Sequence, residues 1–160
     1  MRVRGIGPVV TEAAVDSFER QHGVRVPGPL RWFWTTVGNG GIPEPRVIVP
    51  IENCPYTTAA SVHGLYGIGR DEPYYNFARI LDSVSRHKAL FGVPIGYDDG
   101  GCPFLLQTTG PHSGQIRWME AEEYSNDCGE SYFVARDISE FARMIAAAQE
   151  SGEHLEDGQG

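Results

Sequence analysis

Most of what would mark a membrane, secreted or catalytic protein is missing from this chain. No apolar run approaches the roughly 20 residues of a bilayer span. The amino terminus, MRVRGIGPVV, lacks the apolar stretch of about 7 to 15 residues that a secretory signal needs. A soluble, cytoplasmic protein is therefore expected. Cysteine is scarce. Cys54, Cys102 and Cys128 are odd in number and scattered with no C-x-x-C pair, which argues against a disulfide framework and a zinc knuckle. They are expected as reduced thiols, at least two of them buried. His22, His63, His87, His112 and His154 include no pair at zinc-ligand spacing, so no metal is expected. Gly67 and Gly69 in HGLYGIGR lack the third glycine of a nucleotide loop, and neither a GK[ST] nor a G-x-S-x-G occurs. Positive charge is also short. A formal charge of -8 and a pI near 5 argue against nucleic-acid binding, which needs clustered Lys and Arg to displace counterions.

What is present has the pattern of one globular domain. The 160 residues are enough for one core and too few for two typical domains, and 41% hydrophobic with 21% charged residues excludes wholesale disorder. TEAAVDSFERQHG predicts a helix with Thr11 as N-cap, Ala14, Val15 and Phe18 on one face and Gly23 as its stop. A second helix follows at VPGPLRWFWTTVG, with Leu30, Phe33, Trp34 and Val37 at i, i+3, i+4 and i+7. Strands are predicted at Val47 to Ile51 and near His63 to Tyr66, and a helix over NFARILDSVSRHKALFG. Three extended runs broken by DDGG and TGPHSG then suggest an antiparallel meander. A fourth strand, Tyr132 to Ala135, precedes a last helix whose Asp137 and Glu140 resemble a capping box. The fold class is α+β, a mainly antiparallel sheet packed by N-terminal helices and a C-terminal helix. Residues 1–10 form an extension, 11–150 the domain and 151–160 a flexible acidic tail.

The adjacent acids of DDGG raise the question of catalysis. Successive residues of an extended chain point to opposite faces, so Asp98 and Asp99 do not form a dyad facing one substrate. A calcium loop needs more oxygen ligands than DDGGCPFLL supplies. A turn accounts for the residues better, because Asp bonds to its own backbone while Gly100 and Gly101 accept positive φ. Trp32 lies off the stripe of its helix, where it packs under a loop or anchors a partner; packing is the simpler reading.

The order FERQHGVRVPGPLRWFWTTVGNGG, GLYGIGR, VPIGYDDGGCPFLLQTTGPHSGQIRWM and VARDISEFARMI resembles the SUKH superfamily over residues 11 to 146. That group includes the yeast cell-wall-assembly regulator domain and many bacterial toxin-immunity proteins. Phe18, Glu19, Pro27, Phe33, Asn39, Gly40, Gly41, the Pro94-Ile95-Gly96 run, Asp98, Gly100, Gly101, Gly114, Trp118 and Phe141 carry the likeness through their order and spacing. The resemblance implies a binding protein without catalysis or cofactor, an immunity protein that neutralises a cognate protein toxin. The acidic surface suits a basic partner, such as a nuclease. The expected contacts are Asp98, Asp99, Glu120, Glu122, Glu123 and Asp127, with Tyr124 as an aromatic anchor. The alternative is a regulatory or scaffold interaction module of the cell-wall-regulator kind. A hydrolase using Asp98 or His112 is the least supported reading. Glu52 to Val62, poor in motif, and the second Asp of YDDGG depart from the family pattern.

Overall fold

The computed structural model describes residues 2–152. Helix α1 (Glu12–His22) begins where the Thr11 side chain accepts the Ala14 N–H, and ends at Gly23 in the left-handed conformation. Val15 and Phe18 are its buried residues; Ala14 faces solvent. Helix α2 (Gly28–Thr36) buries Leu30, Phe33 and Trp34, with Pro29 in its first turn. The two helices are clamped through Arg31, whose guanidinium reaches Glu12, Asp16 and Glu19 at 2.6, 2.9 and 2.6 Å. Glu19 also accepts the Val26 N–H at 2.7 Å, fixing the connection between them. Trp32, half-buried, packs against the core.

Strands β1 (Ile48–Pro50) and β2 (Ala59–Ser61) form a separate antiparallel hairpin. The stretch from Glu52 to Val62, poor in motif, thus contains a strand. The main sheet runs in sequence order as β3 (Gly64–Leu65), β4 (Val93–Tyr97), β5 (Pro103–Leu106), β6 (Ile116–Met119) and β7 (Ser131–Ala135). Every neighbouring pair is antiparallel, as a meander requires. The predicted helix over residues 76–92 is divided. Phe77–Ile80 is a 3-10 turn held by the Asn76 side chain on the Ala78 N–H, and α3 is Leu81–Phe91. A five-residue helix, α4 (Ala121–Ser125), occupies the acidic stretch between the meander and the last strand, where no helix is predicted. Helix α5 (Ile138–Ser151) starts with Asp137 accepting the Glu140 N–H and ends at Gly152, so the helix extends just beyond the expected boundary at 150. The rest of the expected tail, 153–160, lies outside the described residues.

Alternation along the strands makes two cores. Phe104, Leu106, Ile116 and Trp118 face the helical side with Trp34, Leu30, Phe141 and Ile145. Leu105 and Met119 point to the other face, where Tyr124 and Phe91 cover them. The amino-terminal segment is part of this packing, not a free extension. Gly7 exchanges backbone bonds with the NGG turn, donating its N–H to the Gly40 carbonyl and accepting the Asn39 N–H, and the Arg4 backbone bonds both ends of the buried Gln149 amide.

Both glycine motifs have steric reasons. Asn39 is buried, and its amide clasps the Ile68 backbone, Nδ2 donating to the carbonyl at 2.6 Å and Oδ1 accepting the N–H at 2.8 Å. That brings NGG onto YGIG so closely that a Cβ on Gly67 would collide with the Asn39 carbonyl. GLYGIG is a packing device and holds no phosphate-loop geometry.

Candidate functional site

The DDGG turn joins β4 to β5 and separates its two aspartates. Asp98 points inward and is 7% exposed. Its Oδ1 accepts the N–H groups of Gly100 and Cys102, both at 2.9 Å, and its Oδ2 accepts the indole N–H of Trp118 at 3.0 Å. Gly101 completes the turn at a φ of 81°. A nearly buried carboxylate that accepts three hydrogen bonds staples a turn and leaves little of itself for a partner. The expectation that Asp98 makes contacts is corrected accordingly. Asp99 points outward, and its backbone N–H meets Ser61 Oγ at 3.3 Å, which ties the turn to the β1–β2 hairpin.

Between that hairpin and the turn lies a groove of about 470 Å³, lined by Tyr56, Ala59, Ser61, Asp99 and Trp118 among others. Its upper wall is the loop 52–58. The Glu52 N–H bonds to the Phe133 carbonyl of β7 at 3.0 Å, and the Ile51 N–H closes on Thr58 at 2.9 Å. Tyr56 stands at the tip, 55% exposed. Its hydroxyl donates to Glu123 Oε1 at 2.5 Å, and this bond, with some burial, pushes the phenol up to about 12. The ring meets Tyr132 edge-on at 6.4 Å, and Tyr132 lies 6.5 Å from Trp118. A row of three aromatic rings therefore runs from the core to the surface beside an acidic rim.

Helix α4 supplies that rim. Glu120 is its N-cap and accepts the Glu123 N–H at 2.9 Å; Glu122 and Glu123 occupy its first turn, where carboxylates favour the helix terminus. Glu120, Glu123 and Asp99 thus gather around Tyr56, and Glu122 projects from the same helix into solvent. The other Glu123 oxygen is buried against Gly129 and meets no donor among the described residues.

Two expected contacts lie elsewhere. Tyr124 is 8% exposed, its hydroxyl bonded to Ser83 at 2.9 Å and its ring 4.4 Å from that of His87, so it is a core residue of the second cluster and no surface anchor. At the far end of α4, Asp127 has a positive φ of 58° and turns toward α3, its Oδ1 2.7 Å from the Nδ1 of buried His87. It is exposed but belongs to a different side of the helix from the Tyr56 cluster. The aromatic that reaches the surface beside these acids, Tyr56, sits in a segment whose sequence gives no periodicity to find it by.

Catalytic geometry does not assemble around the remaining candidates. Cys102 is half-buried at the start of β5, and His112 is exposed in the turn beyond its other end. Burial pushes the Cys102 thiol up to about 11, away from a nucleophile's range. Cys54 is half-buried and Cys128 exposed; neither is fully buried, contrary to expectation, and all three are free thiols. Among the described residues no cluster of His, Cys, Asp and Glu could hold a metal ion, and no helix is long and apolar enough to cross a membrane.

Residues 9–144, most of the chain, match the SMI1 / KNR4 family (SUKH-1). No curated protein and no solved structure matches the chain.

Proposed function

Because the chain belongs to the SMI1 / KNR4 family (SUKH-1), we propose that it is a non-enzymatic immunity protein that binds a cognate basic toxin, such as a nuclease, and blocks it. The observation that supports this reading is the exposed Tyr56 ring, held by Glu123 and backed by Tyr132 and Trp118, with Asp99 and Glu120 flanking it. Interface centres favour aromatic side chains of this kind. Tyrosine adds large contact area at small entropic cost, and here the ring is already fixed before a partner arrives. Around such an anchor, carboxylates speed association with a basic surface and set orientation. Net charge of -8 extends that attraction beyond the groove.

This reading revises the contact set. Tyr56 replaces Tyr124 as the anchor; Asp99, Glu120, Glu122 and Glu123 remain; Asp98 acts beneath the surface; Asp127 serves the junction of α4 with α3. The test is protection of cells expressing the toxin encoded by the adjacent gene. Asp99→Lys with Glu122→Lys, both at exposed positions, should abolish protection while the protein accumulates normally. Full protection by that double variant sinks the proposed face. Binding of the adjacent product without any toxicity to neutralise would point instead to the regulatory module.

A further inference from the structure

Helix α3 presents Leu81, Val84, Ser85, Lys88 and Ala89 at i, i+3, i+4, i+7 and i+8, the spacing of a single helix face. In most surface helices that face is the packed one. Here only His87 of the helix is buried, and the Leu81–Ala89 face instead lines a cavity of about 760 Å³. The cavity lies between α3, the α1–α2 connection and the β5–β6 turn. Its floor is core, since Phe77 and Leu106 are 2% and 1% exposed. Val24, Pro27 and Pro29 form the facing wall. Ligand pockets are usually of this kind, about 300 to 1,000 Å³, mainly apolar and with a few converging polar groups.

The charge of this cavity is opposite to that of the protein. The chain has 21 acidic and 13 basic residues, yet no carboxylate lines the cavity, whereas Arg25 and Lys88 both do, and Lys88 is the only lysine. Four arginines are ion-paired, Arg31 with the acids of α1, Arg70 with Glu72, Arg86 with Asp127 and Arg136 with Glu140, and the other Lys and Arg side chains make no ion pair among the described residues. Arg25 and Lys88 have no carboxylate within ion-pair distance among the described residues. Thr108, Thr109 and Ser113 of the β5–β6 turn add hydroxyl groups to the same lining. An apolar hollow with two unpaired cations and no acid is complementary to an apolar body that ends in an anion.

We propose that this cavity binds a small monocarboxylate with an unbranched apolar tail, a medium-chain fatty acid. The tail lies against Val24, Leu81, Val84 and Leu106, and the carboxylate meets Arg25 or Lys88. The site shares no lining residue with the groove beside Tyr56, so it stands or falls independently of the immunity reading.

Calorimetric titration with decanoate below its micelle concentration tests this, with decanol and decyltrimethylammonium as matched tails. The expected result is saturable binding of one decanoate per chain, weaker for decanol and weakest for the cation. Replacing both Arg25 and Lys88 by alanine should lower decanoate affinity about tenfold or more, the usual scale for losing a charge-assisted bond, and leave decanol unchanged. Val84→Trp fills the hollow and should abolish binding of every tail. Ala89→Trp does the same from an exposed position, so that a folded variant is in hand if the first is unstable. No saturable heat, binding that survives both tryptophan variants, or equal affinity for decanoate and decyltrimethylammonium overturns the proposal. Tighter binding of a peptide ending in an apolar residue with a free carboxylate would also overturn it, in favour of protein docking.

Discussion

Replacing Asp98 by alanine removes the acceptor for two backbone N–H groups and for the Trp118 indole at once. Trp118 is 3% exposed, so its N–H has no water to turn to. Hydrogen bonds to a charged acceptor contribute about 1.5 to 3 kcal/mol each, and a stranded buried donor costs about 1 to 3 kcal/mol. These terms overlap because the three bonds share one carboxylate, and a total of about 3 to 5 kcal/mol follows. At roughly 2 to 4 °C per kcal/mol for a domain of this size, the melting temperature should fall by about 10 °C. Asp98→Asn keeps the Oδ1 acceptor but turns an amide N–H toward the Trp118 N–H, and should cost about 1 to 3 kcal/mol. Asp99→Ala, at the exposed neighbour, should stay within about 0.5 kcal/mol. Urea unfolding followed by tryptophan fluorescence measures all three, and Trp118 reports on the turn directly. If Asp98→Ala costs no more than Asp99→Ala, the carboxylate is not the staple of the turn.

Gly67→Ala should destabilise by about 1 to 3 kcal/mol or prevent folding, because its Cβ meets the fixed Asn39 carbonyl. Thermal melts against Gly28→Ala, a position with open space and no positive φ, isolate the clash; equal melting points would contradict it. In titration with an aromatic disulfide at mildly alkaline pH, exposed Cys128 should react in the fastest phase and Cys102 at least about tenfold more slowly. A thiol raised to about 11 loses roughly a hundredfold in thiolate, of which higher nucleophilicity restores only about a factor of ten. A fast phase that survives Cys128→Ser and vanishes in Cys102→Ser contradicts this. Tyr56 holds its proton more tightly when folded, about 12 against an ordinary value near 10, so its contribution to stability is full below about pH 10 and is lost as pH rises through about 12. Tyr56→Phe should therefore leave the phenol absorbance step near pH 10 unchanged; a step smaller by one tyrosine would show that the Glu123 bond does not form in solution.

Much of the fold was legible because its signals are local. Thr11 and Asp137 cap the helices that their spacing implied, Gly23 ends the first, and DDGG turns the chain between two apolar runs. The divergence of Asp98 from Asp99 was also legible from strand geometry, but not which of them turns inward. That choice is made by Trp118, 20 residues away, whose indole N–H must find an acceptor. Helix α4 escaped because five residues are too few to show a period, although three of its acids sit at or in its first turn. Tyr124 and Tyr56 both have polar neighbours in sequence, and only the packing of α4 on Leu105 and Met119 decides that the first is buried. Of the β1–β2 hairpin, β1 lies within the β-branched run Val47 to Ile51 and was legible, whereas β2 was hidden for a related reason: it is three residues long, and it pairs because β7 and the DDGG turn hold the loop in place.

The central claim is that Tyr56 and the acids beside it form the recognition surface. The most direct measurement is calorimetry of the wild-type protein and Tyr56→Ala with the product of the adjacent gene, at low and moderate salt. The account predicts one-to-one binding that weakens as salt rises and loses about 2 kcal/mol or more, roughly thirtyfold in affinity, in Tyr56→Ala. Binding that is indifferent to both salt and the loss of Tyr56 would contradict it.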